Sequence, residues 1–211
     1  MEFSEWEPLY TEILADFDFN RSEDVASARI LADLLHGRAG ALAGTPANLR
    51  SIISGRDVAV CGNAPSLASE INSIMPDQIV IAADGATTVL MANRIIPDVI
   101  VTDLDGTIED IISASEKGSF VVVHAHGDNI PAVRSVVPLL GGRVLGTTQS
   151  EPFDDIHNFG GFSDGDRCVF LAKASGAASV MLFGFDYDDP DVNDVKKKKL
   201  GWAKRLIEEC L

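Results

Sequence analysis

Positive charge is scarce in this chain. Of 211 residues only 17 are Lys or Arg, against 32 Asp or Glu, a formal net charge of −15 at pH 7. Such an excess repels phosphate backbones and anionic lipid surfaces, so neither nucleic acid nor a membrane is an expected partner. Cysteine is sparse as well. Cys61, Cys168 and Cys210 stand far apart and form no CxxC pair, which excludes a zinc knuckle or a disulfide framework and fits a reducing, cytoplasmic setting. No apolar run approaches the roughly 20 residues of a membrane helix, and residues 1–10 are acidic, without an apolar signal region. Also missing are a GxGxxG turn, a Walker-type Gly-Lys-Ser/Thr loop and the ligand spacing of an EF-hand. What is present is 46% hydrophobic and 23% charged, a composition that argues against disorder and suits one medium domain burying its core without staples.

Two regions differ in hydrophobic period. In residues 1–54 the spacing is helical: Leu9, Ile13, Leu14 and Phe17, then Val25, Ala28, Ile30, Leu31, Leu34 and Leu35. Asn20 or Ser22 can cap the second helix, and the glycines of residues 37–44 end it. Thr45 followed by Pro46 reads as an N-cap with Pro at the first helical position of a third helix. The expectation is an N-terminal helical cap over 1–54 and an α/β catalytic domain over 55–211. In the second region short β-branched runs at 58–61, 78–83, 99–102, 120–124, 144–146 and 180–183 alternate with helix-length segments at 66–75, 86–94, 107–117, 131–140 and 165–175. That alternation predicts an α/β fold: a Rossmann-like, mostly parallel sheet flanked by helices. Residues 191–211 read as a final helix, and its four lysines, Lys196, Lys197, Lys198 and Lys199, most simply as a solvated face, with a mobile basic segment meeting a phosphate as the rival reading.

Ligands of such sheets sit beyond the carboxyl ends of the strands, so the residues just after each strand carry the functional information. After the first come Gly62, Asn63, Ala64, Pro65, Ser66 and Leu67, a Gly turn into a helix start that would offer free backbone N–H groups to phosphate. After the second come Asp84, Gly85 and Ala86, and after the third Asp103, Leu104, Asp105 and Gly106. In an extended chain Asp103 and Asp105 fall on one side. With Asp84 arriving from a neighbouring strand, three carboxylates without local basic residues call for a divalent cation, and hard oxygen ligands favour Mg²⁺ over zinc. That cation also reverses an inference from the net charge, because it would recruit the nucleoside triphosphate that the acidity alone would repel. After the fourth strand, His124, His126, Asp128 and Asn129 are candidate substrate or phosphate contacts, with capping by Asp128 as the plain alternative. Gln149 follows the fifth. The Gly-rich stretch 159–167 holds Ser163, Asp164, Asp166 and Arg167, read as a functional loop feeding a helix whose first turn favours acid.

The run from Asp84-Gly85-Ala86 through Pro97-Asp98 to Thr102-Asp103-Leu104-Asp105-Gly106 resembles the core of thiamine pyrophosphokinases. The full set is more similar to the archaeal 6-hydroxymethyl-7,8-dihydropterin diphosphokinases. It adds Gly62-Asn63-Ala64-Pro65-Ser66-Leu67, His124-Ala125-His126-Gly127-Asp128-Asn129 and the stretch from Gly160 to Arg167. The likeness covers roughly residues 55–186. It implies transfer of diphosphate from ATP to the hydroxymethyl group of a reduced pterin, releasing AMP, in methanopterin- or folate-type biosynthesis. By this resemblance Asp103 and Asp105 would hold Mg²⁺ with Asp84 nearby, and the turn of Gly62, Asn63, Pro65 and Ser66 would cradle phosphate. His126, Asp128 and Asn129 would contact nucleotide or pterin, while Asp164, Asp166 and Arg167 close the site and Arg167 supplies a cation. Gly85, Gln149 and Ser163 complete the candidate binding set. Phe159, Phe162, Phe185 and Tyr187 are candidates for stacking on the pterin. Thiamine pyrophosphokinases carry a further β-rich domain that this sequence lacks, which disfavours thiamine. Flagellin-modifying nucleotide-sugar glycosyltransferases share the Pro-Ser-Leu and Asp-Gly-Ala elements but are much longer. The N-terminal helices could form a dimer surface or a lid, which leaves the oligomeric state open.

Overall fold

The structure is a computed structural model that describes residues 1–38 and 44–211. It opens with α1 (Phe3–Phe17), α2 (Arg21–His36) and α3 (Pro46–Ile53). Their starts follow side-chain chemistry. The Asn20 side chain accepts from Ser22 N, and Thr45 accepts from Asn48 N with Pro46 at the first position. α2 ends at His36 with Gly37 as its C-cap; the rest of the expected terminator, residues 39–43, lies outside the described residues.

Seven strands then form one sheet: β1 (Asp57–Cys61), β2 (Ile79–Ala83), β3 (Val99–Thr102), β4 (Phe120–Ala125), β5 (Val144–Thr148), β6 (Ile156–His157) and β7 (Ser179–Phe183). Their order is β6-β5-β4-β3-β2-β1-β7, and every named pair is parallel. The intervening helices are α4 (Leu67–Glu70), α5 (Ala86–Ala92), α6 (Ile108–Glu116), α7 (Ile130–Val136) and α8 (Asp164–Ala174), and α9 (Asp194–Cys210) follows β7. The predicted α/β class with a parallel, Rossmann-like sheet is therefore observed.

The strands are apolar on both faces because both faces are covered. Ala59, Val80, Ile100, Val121 and Val123 point into one core with α2 and α5–α7, whereas Val58, Ile81, Val101, Phe120 and Val122 point into a second with α3 and α8. Each fully buried aliphatic or aromatic side chain contributes about 1.5–3 kcal/mol. A third cluster joins Trp6, Tyr10 and Ile13 of α1 to Phe162, Phe170, Trp202 and Leu206. The first three helices are thus layered onto the sheet: α2 on one face, α3 on the other and α1 against α8 and α9.

Three expectations change in detail. The helix expected over 66–75 is only Leu67–Glu70 followed by a 3₁₀ turn, Ile71–Ser73, because Ile71, Asn72, Ser73 and Ile74 propagate a helix poorly and Pro76 stops it. The helix over 131–140 likewise passes into a 3₁₀ turn, Val137–Leu139, at Pro138. The two-residue strand β6 was hidden inside a polar stretch; Ile156 is its fully buried residue.

Candidate active site at the carboxyl ends of the strands

A cavity of about 610 Å³ opens over the carboxyl ends of the strands, where this class of sheet binds ligands. Its floor is the β2–β3 edge. Asp84 follows β2 with φ +36°, a backbone region that Asp tolerates better than most residues. Its Oδ1 accepts from the Thr102 hydroxyl, and the same Thr102 Oγ1 accepts from Leu104 N at 2.8 Å. Leu104 is buried in the core at φ +69°. The extended chain expected between Asp103 and Asp105 is therefore replaced by a left-handed kink that anchors Leu104 below and raises both carboxylates. Carboxylate oxygens of Asp84, Asp103 and Asp105 lie within 4.8 Å of one another. Gly106 makes room: a Cβ there would sit 2.2 Å from Asp84 Oδ2.

The electrostatics match this crowding. Burial, opposed by the Thr102 hydrogen bond but reinforced by the charges of Asp105 and Asp103, pushes the Asp84 carboxyl up to about 7. Burial and the Asp103 charge also raise Asp105. For Asp103 burial acts upward but is outweighed by the His126 hydrogen bond and the Arg167 charge, which hold it at about 2. Asp103 Oδ1 is nevertheless buried without a hydrogen-bond partner among the described residues. An orphaned buried carboxylate oxygen beside two further carboxylates fits a hard divalent cation, and the three residues together fit its all-oxygen preference.

His126 flanks the cluster, with Nε2 3.2 Å from Asp103 Oδ2 and Nδ1 2.7 Å from Asp128 Oδ1. Asn129 is a brace below the wall: its Nδ2 donates to Asp103 O and His124 O, and its Oδ1 accepts from Ser27 Oγ and His126 N. His124 is 2% exposed beneath the cavity, its Nδ1 3.1 Å from Thr147 Oγ1, so it is not the ligand contact expected of it. Arg167 Nη1 donates to Asp164 Oδ1 at 3.0 Å, and its Nε is buried without a partner. Asp164 is raised well above the ordinary carboxylate range by burial and by Asp103, against the pull of Arg167. Gly161 permits this packing: at φ +91° its missing Cβ would meet Arg167 Cα at 2.7 Å.

Most of the expected set shares this cavity: Gly62, Asn63, Pro65, Gly85, Asp128, Gln149, Ser163, Asp164 and Arg167 line it with the three carboxylates and His126. Ser66, Asn129 and Asp166 are not on its wall. Asp166 is fully buried and accepts from the backbone N–H groups of Phe162 and Ser163, forming a capping box with Ser163 that starts α8. The turn expected to cradle phosphate after the first strand lines the cavity, with two of its backbone donors already used. Gly62 N donates to Phe183 O and Ala64 N to Gly184 O, because β7 lies beside β1. Those donors are spent, and α4 is too short for a strong dipole. Among the aromatic candidates Phe162, Phe185 and Tyr187 line the cavity, whereas Phe159 packs in the core.

Two groups of lining residues were not anticipated. Phe19, Asn20, Glu23 and Asp24 come from the start of α2. Asp24 is 3% exposed and ties three elements together, accepting from Tyr10 OH at 2.6 Å, Gln149 Nε2 at 2.8 Å and Gly127 N at 2.9 Å. The amide of Gln149 is thereby oriented by an acceptor-only carboxylate, and its Oε1 is buried without a partner. The second group, Lys196, Lys199, Leu200 and Ala203, is a stripe of α9 at spacings of three and four residues. That period was legible in the sequence.

With this geometry in view, comparison with known proteins is decisive. Residues 40–192 match the family model described as 6-hydroxymethylpterin diphosphokinase MptE-like. The chain belongs to that family. A relative from Methanothermobacter thermautotrophicus named 6-hydroxymethyl-7,8-dihydropterin pyrophosphokinase is 45% identical, over 99% of this chain and 94% of its own length. Relatives of the same name from Pyrococcus furiosus and Methanocaldococcus jannaschii are 41% and 39% identical, over 99% and 98% of this chain and 94% and 95% of theirs. Among solved structures, the Maf glycosyltransferase from Magnetospirillum magneticum aligns with a TM-score of 0.47 and 19% identity, over 71% of this chain and 28% of its own. No described helix of this family member is long and apolar enough to cross a membrane.

Proposed function

We propose that the protein transfers a diphosphoryl group from ATP to the hydroxymethyl oxygen of 6-hydroxymethyl-7,8-dihydropterin and releases AMP. Its near full-length relatives carry that activity in their names. The observation that carries the reading to this chain's own residues is the group of three carboxylates, Asp84, Asp103 and Asp105, within 4.8 Å of one another on the floor of the cavity. Attack on a phosphorus atom asks for in-line positioning and charge neutralisation more than for covalent help. We assign Asp103, Asp105 and Asp84 to hold Mg²⁺, which when bound supplies positive charge to the phosphates of ATP. Arg167, on the cavity wall with Nη1 on Asp164, brings a positive charge beside the carboxylates. His126, fixed between Asp103 and Asp128, holds Asp103 in its ionised form.

The two ends of the cavity suit different substrates. At the β1–β7 end Asn63, Phe185 and Tyr187 offer an amide and aromatic faces. At the β4–β5 end the unpartnered Gln149 Oε1 is an acceptor held by Asp24. The pyrimidinone edge of a pterin presents adjacent N–H donors, whereas adenine has a single amino donor. We therefore assign the pterin to the Gln149 end, beside Phe162, and the adenosine to the opposite end. Buried Cys61 and Cys168, both free thiols, accord with a reducing cytoplasmic setting. Incubating the protein with ATP, Mg²⁺ and the reduced hydroxymethylpterin should yield AMP and the pterin diphosphate; the absence of both refutes the proposal.

A further inference from the structure

Four consecutive lysines on one helix cannot share an environment, because each residue turns the side chain by about 100°. Lys198 turns toward α1, where its Nζ lies 3.1 Å from Asp16 Oδ1 and 4.9 Å from the Phe17 ring centroid. Lys196 and Lys199 turn the other way and line the cavity, with Lys197 absent from its wall. Lys199 Nζ stands 6.0 Å from the centroid of Phe162, another wall residue, and its charge pulls on the Asp105 carboxyl. Neither Lys196 nor Lys199 has an ion-pair partner within 4.0 Å among the described residues. The remaining cation of the wall, Arg167, is already engaged by Asp164.

A cavity floored by carboxylates is a poor host for a polyphosphate unless positive charge faces it from more than one side. We propose that Lys196 and Lys199 form a polyphosphate-binding pair that reaches from α9 over the strand ends and grips the phosphate chain of a nucleoside triphosphate opposite the carboxylate floor. This rests on the proposed use of ATP, but not on the identity of the acceptor. It divides the run between the two readings its sequence allowed: two lysines that meet phosphate, one that packs on α1 and one that is solvated.

The run contains its own control. Lys199→Ala should lower kcat/KM for ATP about 10- to 100-fold, the weight of one charge-assisted contact, and weaken binding of a non-hydrolysable ATP analogue measured without the pterin. Lys199→Arg should recover most of the loss. Lys196→Ala should act in the same direction. Lys197→Ala should stay within about twofold of wild type, and all variants should melt alike, because surface lysines contribute little to stability. If Lys199→Ala and Lys196→Ala bind the analogue as Lys197→Ala does, the pair is not a phosphate site and the inference falls. If the wild type forms no pterin diphosphate while analogue binding still separates Lys199→Ala from Lys197→Ala, the acceptor assignment fails and the lysine pair stands.

Discussion

The carboxylate floor makes the metal-free protein less stable than it need be, and Asp84→Asn measures by how much. The carboxyl is pushed from 3.8 to about 7, chiefly by burial and further by Asp105 and Asp103. At about 1.4 kcal/mol per pKa unit, keeping it ionised in the folded chain costs about 4 kcal/mol. The pKa is higher folded than unfolded, so the folded state binds the proton more tightly between those two values. Stability of the metal-free protein therefore falls as pH rises through that window, and the penalty is complete above about pH 7. Asparagine keeps the shape, tolerates φ +36° and still accepts the Thr102 hydroxyl. In denaturant titrations with chelator present, Asp84→Asn should be more stable than wild type by up to about 4 kcal/mol at about pH 8, and the two should converge near about pH 4. A divalent cation should close most of that gap. Wild type gains about 2.7 kcal/mol at a hundredfold excess over Kd, and the variant gains little. A metal-free Asp84→Asn protein less stable than wild type at the higher pH, or an equal gain from the cation in both, refutes the reasoning.

Two further perturbations probe the geometry around the floor. Gly106→Ala places a Cβ 2.2 Å from Asp84 Oδ2, so it should displace Asp84 and cost at least about tenfold in metal affinity, read by calorimetry, while far-ultraviolet circular dichroism stays unchanged. Gln149→Ala should raise the KM for the pterin about tenfold or more through the lost acceptor, with the KM for ATP unmoved; a selective change in the ATP value instead would reverse the assignment of the two cavity ends.

Much of the fold was legible because strands buried on both faces read as apolar runs, and Thr45-Pro46 and Asn20 mark their helix starts openly. Asp84, Asp103 and Asp105 were legible for the same reason: a polar residue closing an apolar run stands out, and α/β topology puts such residues at one edge. Other features depended on spatial neighbours. Nothing local in Gly62 and Ala64 shows that β7 pairs with β1 and consumes their N–H groups. Asp166 looks like a site acid beside Asp164, yet two positions along the first turn decide between facing the cavity and capping α8. Asp24 meets Gln149 across 125 residues of sequence, a distance no local pattern spans. The lysine run left open which of its members face the cavity, because charge alone fits solvent or phosphate and only the helical phase on the fold separates Lys196 and Lys199 from their neighbours.

If the proposed function holds, the carboxylates at the β2–β3 edge are the centre of a diphosphoryl transfer from ATP to a reduced pterin. The most direct measurement is the rate of AMP and pterin diphosphate formation by wild type and Asp103→Asn side by side, with matched thermal melts. Wild type should form the two products in equal amounts, and the variant should be slower by at least about a hundredfold, the scale of losing one electrostatic stabiliser. Equal rates from the two proteins, or release of ADP in place of AMP, would contradict it.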